Sequence, residues 1–204
     1  MADQVLREYK SRRNSARLVQ TDAGRFVTKT FPDEESFQKE LQIYRLLRNR
    51  DFPCAKVVQA EDRTLVLSEL PGQNLVECLE EQEENGTPVW DVWDKLVTWL
   101  IAFQQYTGFA MTDVNLRNFL YDKNTKILYG LDFEECSPCN MIHPAASVAA
   151  FIRTYEPEHT ALKQEISQYV LKLFAQNSGM EEDTLFLESR RQEEKIMERR
   201  KNKK

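Results

Sequence analysis

The sequence contains no long hydrophobic run. Its longest apolar stretch, Leu96 to Phe103, is interrupted by Thr98. It is too short to span a bilayer, which takes roughly 20 apolar residues. No apolar segment follows Met1, so no secretory leader is expected. Without a leader, the four cysteines are expected as reduced thiols in the cytoplasm, not as a disulfide framework. No charge of one sign dominates. A net charge of −5 argues against a whole-surface nucleic-acid footprint. Only the end of the chain, Arg199-Arg-Lys-Asn-Lys-Lys204, is strongly basic, so RNA or an acidic partner is conceivable there alone. No internal repeat is visible. What remains is an ordinary globular composition, 41% hydrophobic and 30% charged over 204 residues. That length allows one domain or two small lobes around a cleft.

One stretch organises the chain. Phe109-Ala-Met-Thr-Asp113-Val-Asn-Leu-Arg-Asn118 leads into Phe119-Leu-Tyr121, which reads as a short buried strand. Asp122-Lys-Asn124 is a turn signal, and Ile127 to Leu131 reads as the return strand, ending at Asp132. Such a hairpin brings Asn118 and Asp132 together at one end, with Asp113 in the loop before it. Two oxygen ligands beside a free carboxylate suit a magnesium-bound phosphate, because hard cations take oxygen donors. The free carboxylate could orient a hydroxyl for attack.

Upstream, Ala16 to Gln20 and Arg25 to Phe31 flank Thr21-Asp-Ala-Gly24 and predict a β-hairpin. Alternation in its second strand puts Val27, Lys29 and Phe31 on one face. A lysine on an apolar face needs an anionic partner, unless it is an edge residue reaching solvent. Pro32-Asp-Glu-Glu-Ser36 opens a helix. Phe37, Leu41, Tyr44 and Leu47 recur at helical spacing, with Ile43 and Leu46 widening the stripe. Glu40 borders that stripe, so a buried Lys29–Glu40 pair is plausible; otherwise Glu40 is one more solvated carboxylate beside Glu34 and Glu35. Residues 52–58 and 64–67 read as two more strands, and Leu70-Pro71-Gly72 breaks the pattern. A lobe boundary is placed there, dividing the chain into 1–70, mostly strands, and 71–180, mostly helices. Helices are expected over 74–84, 89–105, 145–154 and 161–176. The third of these follows Cys136 and Cys139. Val89, Trp93, Leu96, Val97, Leu100 and Ile101 face the core in the second helix. Residues 181–204 hold few apolar positions and read as an exposed helix that frays into a tail.

Taken together, these residues resemble the protein-kinase-like superfamily, and within it the small divergent members: aminoglycoside phosphotransferases, RIO kinases and compact atypical kinases. Met111-Thr112-Asp113…Asn118 is similar to the kinase catalytic loop, and Asp132-Phe133-Glu134 to the magnesium motif. Leu67-Ser-Glu-Leu-Pro71-Gly72 resembles the hinge that binds adenine. Val27-Thr-Lys29 resembles the strand that bears the phosphate-binding lysine, and Phe37-Gln-Lys-Glu40 the helix bearing its glutamate. The likeness covers residues 16 to 176, in the family's order. It implies an α+β, two-lobed fold, with a small antiparallel β lobe carrying one helix and a reduced, mostly helical second lobe. It implies ATP and Mg²⁺ as cofactors, with Val27, Leu67, Ser68 and Leu70 around the nucleotide. Lys29, held by Glu40, contacts its phosphates; Asn118 and Asp132 bind the metal, and Asp113 acts as base toward an acceptor hydroxyl. The expected partners are a nucleotide and an unidentified acceptor, with no membrane.

Three departures qualify the likeness. No glycine-rich loop precedes the first hairpin, where Lys10-Ser-Arg-Arg-Asn-Ser15 stands; those side chains could cover phosphates, or nothing covers them. Met111 replaces the usual histidine. No substrate-anchoring segment follows Asp132, which leans toward a small-molecule or dedicated acceptor. The alternative is a pseudokinase, a nucleotide-binding or scaffold module without transfer. The joint presence of Asp113, Asn118 and Asp132 argues against it. Cys136, Cys139, His143 and His159 also offer zinc-type ligands, although one C-x-x-C with scattered histidines is a weak signature.

Overall fold

The computed structural model describes residues 4–9, 13–112 and 114–202. Five strands form an antiparallel sheet: β1 (Gln4–Tyr9), β2 (Ser15–Thr21), β3 (Gly24–Thr30), β4 (Val57–Glu61) and β5 (Thr64–Ser68), in the order β1-β2-β3-β5-β4. The β2–β3 hairpin closes where Thr21-Asp-Ala-Gly24 predicts it. The first fifteen residues carry only a weak strand signal, yet β1 pairs with β2 as an exposed edge strand, with an irregular register between Val5 and Arg7. The strand expected over 52–58 begins instead at Val57. Cys54 makes one isolated bridge to Gly130, and the Gly130 amide donates to the Pro53 carbonyl at 3.3 Å.

Helix α1 (Glu34–Leu47) follows β3. Asp33 caps it, accepting a hydrogen bond from the Ser36 amide at 2.8 Å, and Glu34 and Glu35 complement the helix dipole. Phe37, Leu41, Ile43, Tyr44 and Leu47 are buried, and so is Glu40; Leu46, expected to widen the stripe, faces solvent instead.

The chain leaves the sheet through Gly72, whose φ of +110° suits glycine. A Cβ there would lie 2.6 Å from the Tyr121 carbonyl oxygen, so the chain can pass this close only without a side chain. β6 (Gln73–Asn74), β8 (Phe119–Asp122) and β9 (Ile127–Gly130) then form a small antiparallel sheet. Between β6 and β8 lie α2 (Leu75–Asn85), opened by an Asn74–Glu77 capping box, and α3 (Trp90–Thr107). α3 buries one broad face and leaves Lys95, Thr98, Gln105 and Tyr106 exposed along the other. Trp93, Leu96, Leu100 and Phe103 are sealed in the core, and Trp99 lies flat against Gly130, where a Cβ would come within 2.2 Å of its ring. Val89, expected on the buried face, is exposed. Two-residue strands β7 (Ala110–Met111) and β10 (Cys136–Ser137) pair antiparallel.

Three helices complete the fold: α4 (Ile142–Thr154), α5 (Ala161–Ser178) and α6 (Glu182–Lys201). α6 corrects the expectation of an exposed, fraying segment. It packs on α4 and buries Leu185, Ser189, Gln192 and Glu193. The adhesive is polar. The buried Arg153 of α4 donates to Glu193 Oε2 at 2.9 Å, to Ser189 Oγ at 3.1 Å and to Ser167 Oγ of α5 at 2.5 Å. Arg200 donates to the Thr154 carbonyl at 2.6 Å. A hydrophobicity pattern cannot register a helix docked in this way. No helix among the described residues is long and apolar enough to cross a membrane.

Glu193→Ala is expected to destabilise the protein by about 3 kcal/mol, because it leaves the Arg153 guanidinium buried without its counter-charge. Urea denaturation measures this; a loss within the range of an exposed ion pair, about 0.5 kcal/mol, would show that α6 is held otherwise.

Candidate active site

Lys29 is the centre of the site. It lies on β3 opposite Ala16 of β2 and Leu65 of β5, and its side chain is only 10% exposed. Its Nζ lies 2.6 Å from Glu40 Oε2 and 2.5 Å from Asp132 Oδ1, and 4.8 Å from the centroid of the Phe31 ring. The lysine therefore has two anionic partners, one from α1 and one from the segment after β9. Burial pushes its pKa down, but the two carboxylates outweigh it and hold the ammonium above its ordinary value. Burial pushes the Glu40 carboxyl up to about 7, against the pull of Lys29.

Asp132 reaches Lys29 because of its backbone. It adopts a left-handed φ of +63°, a conformation that aspartate tolerates better than branched residues. Phe133 is fully buried against Tyr44, Trp99 and Phe103, with ring centroids 5.1 to 6.2 Å apart. That anchor turns the carboxylates on either side of it toward the sheet. Asn118 ends a short 3₁₀ turn (Leu116–Asn118), and its carbonyl accepts from the Leu131 amide at 2.8 Å. The β8–β9 register, Phe119 opposite Gly130, thus sets Asn118 and Asp132 at one end of the hairpin.

Glu40, Asp132 and Glu134 each offer a carboxylate oxygen within 4.8 Å of the others. Glu40 Oε1 is buried and has no hydrogen-bond partner among the described residues. An all-oxygen donor set with one unmatched buried oxygen fits a hard divalent cation such as magnesium. Glu134 is a member that the kinase-type pattern does not supply and that the sequence reading missed; the acidic run Asp132-Phe-Glu-Glu135 is the signal that could have found it. Arg13 and Asn14, just before β2, also enter the site. The Asn14 amide donates to Glu134 Oε2 at 2.8 Å, and Arg13 pairs with Glu135.

The other expected residues are distributed as follows. Val27 lies opposite Leu67 on adjacent strands, and Leu70 packs on the core. The Ser68 amide donates to the Lys56 carbonyl and its hydroxyl accepts from the Lys56 amide, both at 2.9 Å. Adenine-binding backbone groups would therefore have to come from residues after Ser68. Asp113 lies outside the described residues. Thr112, before it, donates through its amide (2.9 Å) and its hydroxyl (2.8 Å) to the Glu135 carbonyl. Cys136, Cys139, His143 and His159 do not join any cluster of three or more metal-ligating groups among the described residues. His159 instead faces Glu193 at 3.5 Å. A separate open groove of about 470 Å³, lined by Cys78, Gln82, Tyr121 and Lys123 among others, shares no residue with the acidic cluster.

A five-stranded sheet with one helix, joined at Gly72 to a helical half that bears the β8–β9 hairpin, matches a solved kinase. The kinase PK-1 of Cydia pomonella granulovirus superposes with a TM-score of 0.52 at 20% identity, over 66% of this chain and 54% of that one. The fold is protein-kinase-like. In all, 1591 solved chains match, so the likeness speaks to fold alone. The chain spans about half the length of the viral kinase, 54%. The sequence pattern of the phosphotransferase enzyme family matches residues 5–86, which include Lys29 and Glu40 of this kinase-like fold. Among curated proteins, no sequence matches significantly.

Lys29→Met is expected to cost about 3–5 kcal/mol, because Glu40 is left as an unpaired buried carboxylate. The double variant Lys29→Met/Glu40→Leu should recover most of that loss. Chemical denaturation of the singles and the double closes the cycle; purely additive losses would show that the two side chains do not act as a pair.

Proposed function

We propose that the chain is an ATP-dependent phosphotransferase that moves the terminal phosphoryl group of the nucleotide to a hydroxyl of a small molecule or a dedicated protein. The supporting observation is Lys29, a buried ammonium held 2.6 Å from Glu40 and 2.5 Å from Asp132. A nucleotide polyphosphate is an anion that such a fixed charge suits. The partial match to the phosphotransferase family and the kinase-like fold support the same reading.

In this reading residues 1–70 form the nucleotide lobe and 71–180 the catalytic lobe. Val27, Leu67, Ser68 and Leu70 line the base end. Lys29, positioned by Glu40, holds the phosphates. Asn118 and Asp132, joined by Glu134, hold magnesium, which when bound neutralises phosphate charge. Asp113 is assigned from spacing alone. It orients the acceptor hydroxyl and takes its proton as the oxygen attacks the γ-phosphorus, the bond to the β-phosphate oxygen breaks, and ADP leaves. Little covalent work falls to the protein; positioning and charge stabilisation suffice. The free cysteines suit a reducing compartment such as the cytoplasm.

Asp132→Asn retains a residue that tolerates the left-handed backbone, so it tests the carboxylate alone. Magnesium-dependent ATP binding, followed by calorimetry, should weaken sharply; unchanged binding would remove the site. Asp113→Ala should leave nucleotide binding intact and lower turnover by about 10²–10⁴. A screen of phosphate transfer to sugars, aminoglycosides, lipids and proteins identifies the acceptor. Mg-ATP binding with no transfer to any of them would mark a nucleotide-binding module instead.

A further inference from the structure

Three polar ties cross from the sheet to the segment after β9. Lys29 reaches Asp132 at 2.5 Å, Asn14 reaches Glu134 at 2.8 Å, and Arg13 pairs with Glu135. The remaining residue of that segment, Phe133, is sealed in the aromatic core and keeps the acidic positions turned toward the sheet. One wall of the site thus presents an ammonium, an amide and a guanidinium, all donors suited to phosphate oxygens. The opposite wall presents carboxylates suited to a hard cation. The two walls satisfy each other.

A metal–polyphosphate brings both complements at once: a cation for the carboxylates and anionic oxygens for the donors. We propose that Arg13 and Asn14 are phosphate-binding side chains for a nucleoside triphosphate, and that Glu135 is an internal competitor that holds Arg13 until the nucleotide arrives. The proposal rests on the function proposed above and adds a means of regulating that site. Residues 10–15 hold no glycine, and Arg13 and Asn14 bring side-chain donors to this place in the chain. The three ties differ in strength. Asn14 is 9% exposed, so its amide needs a partner at all times, and a phosphate oxygen can replace the Glu134 carboxylate. The Arg13 and Glu135 side chains are 64% and 47% exposed, which makes their pair weak, screened by salt and quick to exchange. Glu135 lies outside the Glu40–Asp132–Glu134 cluster, so substituting it tests competition without removing a cation ligand.

The test is a calorimetric titration of the full chain with Mg-ATP and with adenosine, for the wild type, Arg13→Gln and Glu135→Gln. Arg13→Gln is expected to weaken Mg-ATP binding about tenfold and to leave adenosine binding unchanged. Glu135→Gln is expected to tighten Mg-ATP binding by about two- to fivefold, with the gain shrinking at high salt. Both variants break the same ion pair, so a merely structural brace would shift their melting temperatures and their affinities in the same direction. Opposite signs therefore identify competition. If Glu135→Gln weakens Mg-ATP as Arg13→Gln does, or if Arg13→Gln leaves Mg-ATP binding unchanged, the proposal is overturned while the nucleotide-binding function stands. If the wild type binds no Mg-ATP, both fall.

Discussion

A lysine cannot be buried without its charge being answered, and most of this structure is arranged around that constraint. Lys29 is reached by carboxylates from two other parts of the chain, Glu40 on α1 and Asp132 beyond β9. Each contact fixes a different relation. Glu40 sets the rotation of α1 against the sheet, because its fully buried position faces solvent if the helix turns by a residue or two. Asp132 sets the sheet against the helical half. An isolated buried carboxylate or ammonium is strongly disfavoured, so the elements find their places together or lose the pairing.

The hydrophobic core supplies the rigidity that this pairing requires. Trp99, Phe103 and Phe133 stack with interplanar angles of 12° to 25°, and Tyr44 of α1 closes on Phe133 edge-on. Gly130 admits Trp99 by having no side chain. The same aromatic group therefore anchors α1, α3 and the acidic segment. The carboxylates on either side of Phe133 owe their direction to how one ring is packed. At the site, donors from the sheet side meet acceptors from residues 132–135, an arrangement complementary to a metal-bound anion.

The helical half solves a different problem. α4 and α5 pack on each other and need a further helix to cover them. α6 completes the layer through Arg153, whose guanidinium is shared among Glu193, Ser167 and Ser189. Such a network specifies one docking geometry, since each donor direction of the planar group has its own acceptor.

Much of this was legible in the sequence because it is local. The β2–β3 hairpin, the capped α1 with its buried stripe, and the approach of Asn118 and Asp132 through a short hairpin all follow from periodicity, turn residues and short loops; the pairing of Lys29 with Glu40 was one of two readings the sequence left open, and the structure decided for it. The antiparallel sheet followed by helices was legible for the same reason. Contacts between distant parts of the chain were decided only by the tertiary structure. Among them are the edge strand β1, the burial of α6 by a polar network, the entry of Glu134 into the acidic cluster, and the ties from Arg13 and Asn14 to Glu135 and Glu134. Alternation and amphipathicity report which face of one element is apolar. They say nothing about which polar group meets which across more than a hundred residues, because that choice is made by packing and by the need to neutralise each charge that packing buries.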